Sequence, residues 1–235
     1  MHQNTFRRLA IAAVLFWAAA SVHAQVYTEI GDAGQTPGTA QNTGITQPNI
    51  IGTTSMIFGS ISGINDADVF SLTLNSPSTV QFSTINALTS ASGGAGGLDT
   101  ELFLFKSNGA PIYCNDDATG ATVQSRLPAN TPFTMSLSAG TYLIGISLSG
   151  NEPVNSNNQL VFATNSDPKA VRGPALGINP GVFSNFDSFA SFAQSGNYEI
   201  DITTVPEPSS ILLSLAGGVF FAGWVRKRRA ARTNI

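Results

Sequence analysis

The feature that most limits what this chain can fold into is an alternation of apolar and hydroxyl-bearing side chains that recurs along its middle. In Phe70-Ser71-Leu72-Thr73-Leu74 the apolar residues fall on one side and the hydroxyls on the other, which is the period of a half-buried strand and not of a helix. Val80 and Phe82 continue it after the turn Asn75-Ser76-Pro77-Ser78. Phe133, Met135 and Leu137 form a further row, and Tyr142, Ile144, Ile146 and Leu148 form the next, so the spacing across Ala139-Gly140 predicts a short hairpin. Tyr198, Ile200 and Ile202 supply a last strand, and Ile51 to Ile61 and Leu160 to Thr164 two more. Leu102-Phe103-Leu104-Phe105 is apolar on both sides, the mark of a strand covered on both faces. No convincing amphipathic helix interrupts these rows. About eight strands joined by polar turns predict an all-β sandwich or barrel.

The two ends follow different rules. Arg7 and Arg8 precede the apolar run Leu9 to Ala20, and Val22 and Ala24 provide small residues at a cleavage site; this layout predicts a secretory signal peptide over residues 1–24. At the other end, Val205-Pro206-Glu207-Pro208 is followed by an apolar run and then by Arg226-Lys227-Arg228-Arg229. Residues 209–225 would form a helix of about 25 Å at ~1.5 Å per residue, short for a hydrocarbon core of about 30 Å but long enough to span it. The basic cluster after the run predicts that the last residues stay in the cytoplasm and that the body lies outside the inner membrane.

With the ends set aside, the balance of charge changes. Between residues 25 and 205 stand only Lys106, Arg126, Lys169 and Arg172, against thirteen of the fourteen acids, so the body carries −9 where the whole chain carries −3. Such a body lacks the basic surface that nucleic acid requires. Both histidines, His2 and His23, lie in the signal peptide, so the mature body has none for a Ser-His-Asp or Cys-His mechanism or a histidine-bearing zinc site. Cys114 is the single cysteine; it forms no intrachain disulfide and reads as a small apolar residue.

The acids stand in groups at strand ends: Asp66 and Asp68, Asp99, and Asn115-Asp116-Asp117. Calcium takes six to eight oxygen ligands, and three such ends brought together would supply carboxylates and an amide for it. The plainer reading is that Asp and Asn occupy turns because they tolerate turn geometry. Paired carboxylates would also suit a hydrolase, although both tryptophans lie in the terminal segments and leave a sugar site short of aromatic walls.

The tail resembles the PEP-CTERM sorting signal: Val205-Pro206-Glu207-Pro208, an apolar segment, then Arg226-Lys227-Arg228-Arg229. That resemblance implies an exosortase as processing partner, with deposition at the cell surface or in an extracellular biofilm matrix where exopolysaccharide is a candidate partner. The body is similar to the bacterial pre-peptidase C-terminal (PPC-like) domain in Asp66-Ala67-Asp68-Val69-Phe70, Leu98 to Phe105, Gly109, Asn115-Asp116-Asp117 and Ala139-Gly140-Thr141-Tyr142. This implies a jelly-roll-like β-sandwich without catalysis, in some members with calcium. The expected division is thus a signal helix (1–24), an extended lead-in (25–49), a sandwich (50–204) and a sorting tail (205–235) with its transmembrane helix. A non-enzymatic exported protein is the first expectation; a carbohydrate-binding module and a carboxylate hydrolase are the alternatives.

Overall fold

Alternation becomes strand almost wherever it occurs. A computed structural model describes residues 24–47, 54–86, 88–91, 97–128, 135–176, 180–189 and 194–205. The expected signal peptide (1–24) up to residue 23, and the tail from Pro206 onward, lie outside the described residues, as does Phe133. Among the described residues fourteen strands run in order: β1 (Val26–Thr28), β2 (Gln41–Gln47), β3 (Thr54–Ile61), β4 (Ala67–Leu74), β5 (Ser78–Ser83), β6 (Ser90–Ala91), β7 (Thr100–Lys106), β8 (Pro111–Asn115), β9 (Arg126–Leu127), β10 (Ser136–Leu137), β11 (Gly140–Leu148), β12 (Asn151–Val154), β13 (Asn185–Ser188) and β14 (Gly196–Val205). No helix occurs among the described residues.

One sheet orders β1-β3-β14-β5-β10, with β6 on β14 and β9 on β5, and the other orders β2-β4-β11-β7-β8. They face each other across a core in which Ile57, Val80, Phe82, Ile200 and Ile202 of the first meet Phe70, Leu72, Leu104, Ile144 and Ile146 of the second. Each such side chain contributes about 1.5–3 kcal/mol on burial. The architecture is an all-β sandwich.

Three expectations change. Within the expected lead-in 25–49, Val26–Thr28 and Gln41–Gln47 are strands of the sandwich itself, because β1 pairs parallel with β3 and β2 parallel with β4. The row at Met135 and Leu137 does not form a hairpin with Tyr142 to Leu148: β10 pairs with β5 in one sheet while β11 pairs with β4 and β7 in the other. The link through Ser138 and Ala139 therefore crosses from sheet to sheet. Leu160 to Thr164 is no strand and makes only isolated bridges, Val154 with Leu160 and Phe162 with Pro174.

The doubly apolar strand is explained by a second core. On β7, Leu102 and Leu104 point into the sandwich, whereas Phe103 and Phe105 point outward and are nonetheless fully buried. Their cover is the region after β11: Val161, Phe162, Phe183 and Phe186 lie over Phe103, Phe105, Val69, Leu143 and Cys114. Phe105 and Phe183 have ring centroids 4.2 Å apart, and Phe103 meets Phe186 edge-on at 5.4 Å. Gly145 on β11 leaves room for this layer, since a Cβ there would lie 3.4 Å from the rings of both Phe105 and Phe186. Cys114 belongs to this core, and burial pushes its thiol well above the usual range, so it packs as an apolar residue.

A buried ion network pins the same layer. Arg172 exchanges backbone hydrogen bonds with Cys114 on β8, both 2.9 Å. Its guanidinium donates to Glu152 at 2.9 Å and to Glu101 on β7.

Candidate acidic sites

The acids are gathered into two groups at one end of the sandwich. Glu29 follows β1 directly, and the parallel pairing of β1 with β3 places it beside the end of β3. Its carboxylate accepts from the backbone N–H groups of Ala33 (2.7 Å) and Ser60 (2.9 Å). Asp68, the second residue of β4, is completely buried; its Oδ2 accepts from the Tyr198 hydroxyl at 2.7 Å, while its Oδ1 has no hydrogen-bond partner. Glu29, Asp32 and Asp68 each offer an oxygen, and these lie within 4.8 Å of one another. Gly59 makes the arrangement possible, because any Cβ at that position would overlap the Tyr198 hydroxyl. A hollow of about 400 Å³ opens over Glu29, Gly59 and Tyr198.

Burial pushes the Asp68 carboxyl up to about 9, with Glu29, Asp66 and Asp32 adding to the rise and the Tyr198 hydrogen bond opposing it. A carboxyl so placed holds a proton at neutral pH or requires a cation in its place. Asp66 is spent locally: it sits in the β3–β4 turn and accepts from the backbone N–H of Ser62.

The second group is Asp99, Asp116 and Asp117, with one oxygen of each again within 4.8 Å of the others. Asp99 stands just before β7 and the other two just after β8, neighbours through the antiparallel pairing of Leu102 with Asn115. Asp116 Oδ2 accepts from the Ser149 hydroxyl at 3.1 Å, and its buried Oδ1 has no partner. Burial and then Asp99 push Asp116 up to about 7; burial and then Asp117 push Asp99 up to about 6. Asp117 is also raised, by burial first, with Lys169 pulling the other way.

The six residues singled out from the sequence are therefore not one site. Asp68 joins a group with Glu29 and Asp32, while Asp99, Asp116 and Asp117 form another. Asn115 belongs to neither: its amide donates to the Pro168 carbonyl (3.4 Å) and accepts from the Arg126 backbone N–H (3.2 Å). Glu29 and Asp32 were missed because they lie in a polar, Gly-rich stretch that gives no strand signal beyond the three residues of β1. Tyr198 was legible only as an inward strand residue.

Of the sorting motif, Val205 is the last residue of β14, and Pro206, Glu207, Pro208 and the basic cluster Arg226 to Arg229 lie outside the described residues. A cleft of about 500 Å³ elsewhere on the body is lined by Tyr113, Leu127, Pro128, Met135 and Val171. Residues 204–229 match the PEP-CTERM protein-sorting motif. No curated protein matches the chain. The match marks the chain as the exported, membrane-anchored precursor of a sorted surface protein, with an exosortase as its processing partner.

Proposed function

We propose that this is a non-enzymatic exported β-sandwich that an exosortase processes at the tail for the cell surface or the extracellular matrix, and that its acidic groups hold calcium. The sorting motif over residues 204–229 carries the reading, and a mature body without histidine favours binding or structure over catalysis. Mass spectrometry of the mature protein from its own cells is expected to find a chain beginning at Gln25 and lacking the apolar tail. Replacing Pro206, Glu207 and Pro208 with Ala is expected to leave the unprocessed precursor in the membrane. A mature chain with its tail intact would overturn the reading.

For calcium, the support is chemical. Both groups present only oxygen donors, which suit a hard cation, and in each a buried carboxylate oxygen lacks a partner. The consequence is a pH dependence of definite sign. Asp68, Asp116 and Asp99 bind protons more tightly folded than unfolded, so the stability they contribute is complete below about pH 4 and is lost as pH rises through about 6, 7 and 9. Calcium replaces those protons, so its effect grows with pH.

In EDTA the melting temperature of the body is therefore expected to fall from pH 5 to pH 9. Calcium at a hundredfold excess over its Kd adds about 2.7 kcal/mol, or roughly 5–11 °C at ~2–4 °C per kcal/mol, with the gain larger at pH 8 than at pH 5. Asp68→Asn is expected to flatten the pH dependence in EDTA and to shrink the calcium gain. A melting temperature indifferent to calcium at pH 8 would sink this part of the proposal.

A second reading rests on the cleft lined by Tyr113, a residue 41% exposed whose aromatic side chain is of the kind that sugars stack on. Binding of exopolysaccharide by the body, lost in Tyr113→Ala, would favour a carbohydrate-binding module.

A further inference from the structure

The register of the strands sorts the charge of the body along its long axis. β14 ends at Val205, and the strand ends beside it are the start of β5 at Thr79 and the start of β3 near Thr54. The turn from β4 to β5 and the crossing from β10 to β11 lie at this same end, where Leu74 pairs with Gly140. None of the described residues at this end is acidic, and the exposed Lys106, paired opposite Tyr142, is the one charged group among them.

The acids gather toward the other end. Asp66 and Asp68 follow the far end of β3, Asp99 and Glu101 open β7, and Asp116 and Asp117 follow β8. The acid nearest the tail along β14 is Asp201, four residues and about 13 Å back from Val205. Its carboxylate accepts from the Asn86 amide, beyond the far end of β5.

Little slack separates this end from the expected membrane segment. The sorting match begins at Thr204, which is buried and paired with Val80 inside the sheet. From Val205 to Ser209, where the expected transmembrane helix (209–225) begins, the chain takes four steps and reaches about 14 Å at most. The headgroup zone of one leaflet fills roughly 5–8 Å of that.

We infer that in the precursor the acid-free end of the sandwich, around Asn75, Pro77, Ser138 and Lys106, rests on the lipid headgroups of the bilayer while both acidic groups face away from it. The inference depends on the tail-anchored reading above. Asp66 and Asp68 then stand about 25 Å beyond the resting end, at ~3.3 Å per residue along β3. That is several times the Debye length of about 8 Å, so an anionic surface does not repel them.

The test uses the full chain in vesicles of phosphatidylethanolamine and phosphatidylglycerol that carry a nitroxide on the headgroup. Single cysteines are introduced as Asn75→Cys, Ser138→Cys and, at the far end, Asn65→Cys, and each is labelled with a fluorophore. Cys114 is fully buried and stays unlabelled. Labels at 75 and 138 are expected to lose most of their emission, and the label at 65 is expected to keep it. Twelve Gly and Ser residues inserted between Val205 and Pro206, with a reach of roughly 20 Å, are expected to restore emission at 75 and 138.

Unquenched labels at 75 and 138 on a chain that floats with the vesicles would overturn the inference and leave the anchor intact. Crosslinking of those same positions to a membrane protein in cells would then identify the occupant as protein. A chain that does not float with the vesicles would overturn both the inference and the anchor.

Discussion

Arg172→Ala is expected to destabilise the body by about 3–5 kcal/mol, the cost of removing one partner from a buried ion pair, and so to lower its melting temperature by roughly 6–20 °C at ~2–4 °C per kcal/mol. The side chain of Glu101 is 1% exposed and that of Glu152 14%, and the one guanidinium serves both. Without it, two carboxylates remain in a setting that water barely reaches. The asymmetry is the informative part: replacing the whole network with apolar residues of similar size, Arg172→Met with Glu101→Leu and Glu152→Leu, is expected to recover most of the loss. Hydrogen exchange should show the loss concentrated in residues 151–189, which Arg172 joins to β8 through Cys114. An Arg172→Ala melting temperature within a degree of the parent would show that the network does not hold this layer.

Phe105→Ala is expected to cost a similar 3–5 kcal/mol. The ring is fully buried on the outer face of its sheet and meets Phe162 at 5.5 Å and Phe183 at 4.2 Å; its removal opens a cavity between sheet and cover. Limited proteolysis should then cut within residues 155–184 before the rest of the body unfolds. Leu176, 92% exposed in the same region, provides the contrast, since Leu176→Ala is expected to change stability by less than about 0.5 kcal/mol. Equal effects of the two substitutions would contradict the second core.

That second core was half legible. Phe103 and Phe105 could be recognised as buried on the side opposite Leu102 and Leu104 because a strand with apolar residues at consecutive positions has no face to give to water. What covers them could not be recognised. Phe162, Phe183 and Phe186 stand in a stretch rich in Pro, Gly and Asn with little alternation, and they reach β7 through a fold-back that uses isolated bridges more than regular strands. The mistaken hairpin has a related cause. An alternating row, a two-residue link and a second row describe a hairpin within one sheet and a crossing between two sheets equally well. Leu137 and Ile144 both point into the sandwich core in the crossing, and period two looks the same either way.

The acidic groups show the same limit. Asp99 and Asp116 come together because β7 and β8 are antiparallel neighbours, a pairing their short separation in sequence made plausible. Glu29 and Asp68 come together because three residues of β1 run parallel to β3, and nothing near Glu29 announces this.

By itself, then, the amino-acid sequence determined the sorting motif at the tail, the positions of most strands and turns, the doubly covered character of β7 and the acidic, histidine-free chemistry of the body. These follow from local properties: hydropathy, period, turn-forming residues and charge. The tertiary structure alone decided which sheet each strand joins, that residues after β11 roof the outer face, that six of the acids form two groups with partnerless oxygens, and that none of the described residues at the end joined to the tail is acidic. Each depends on which distant surfaces exclude water from one another, and a periodic pattern names the face to be buried without naming its partner.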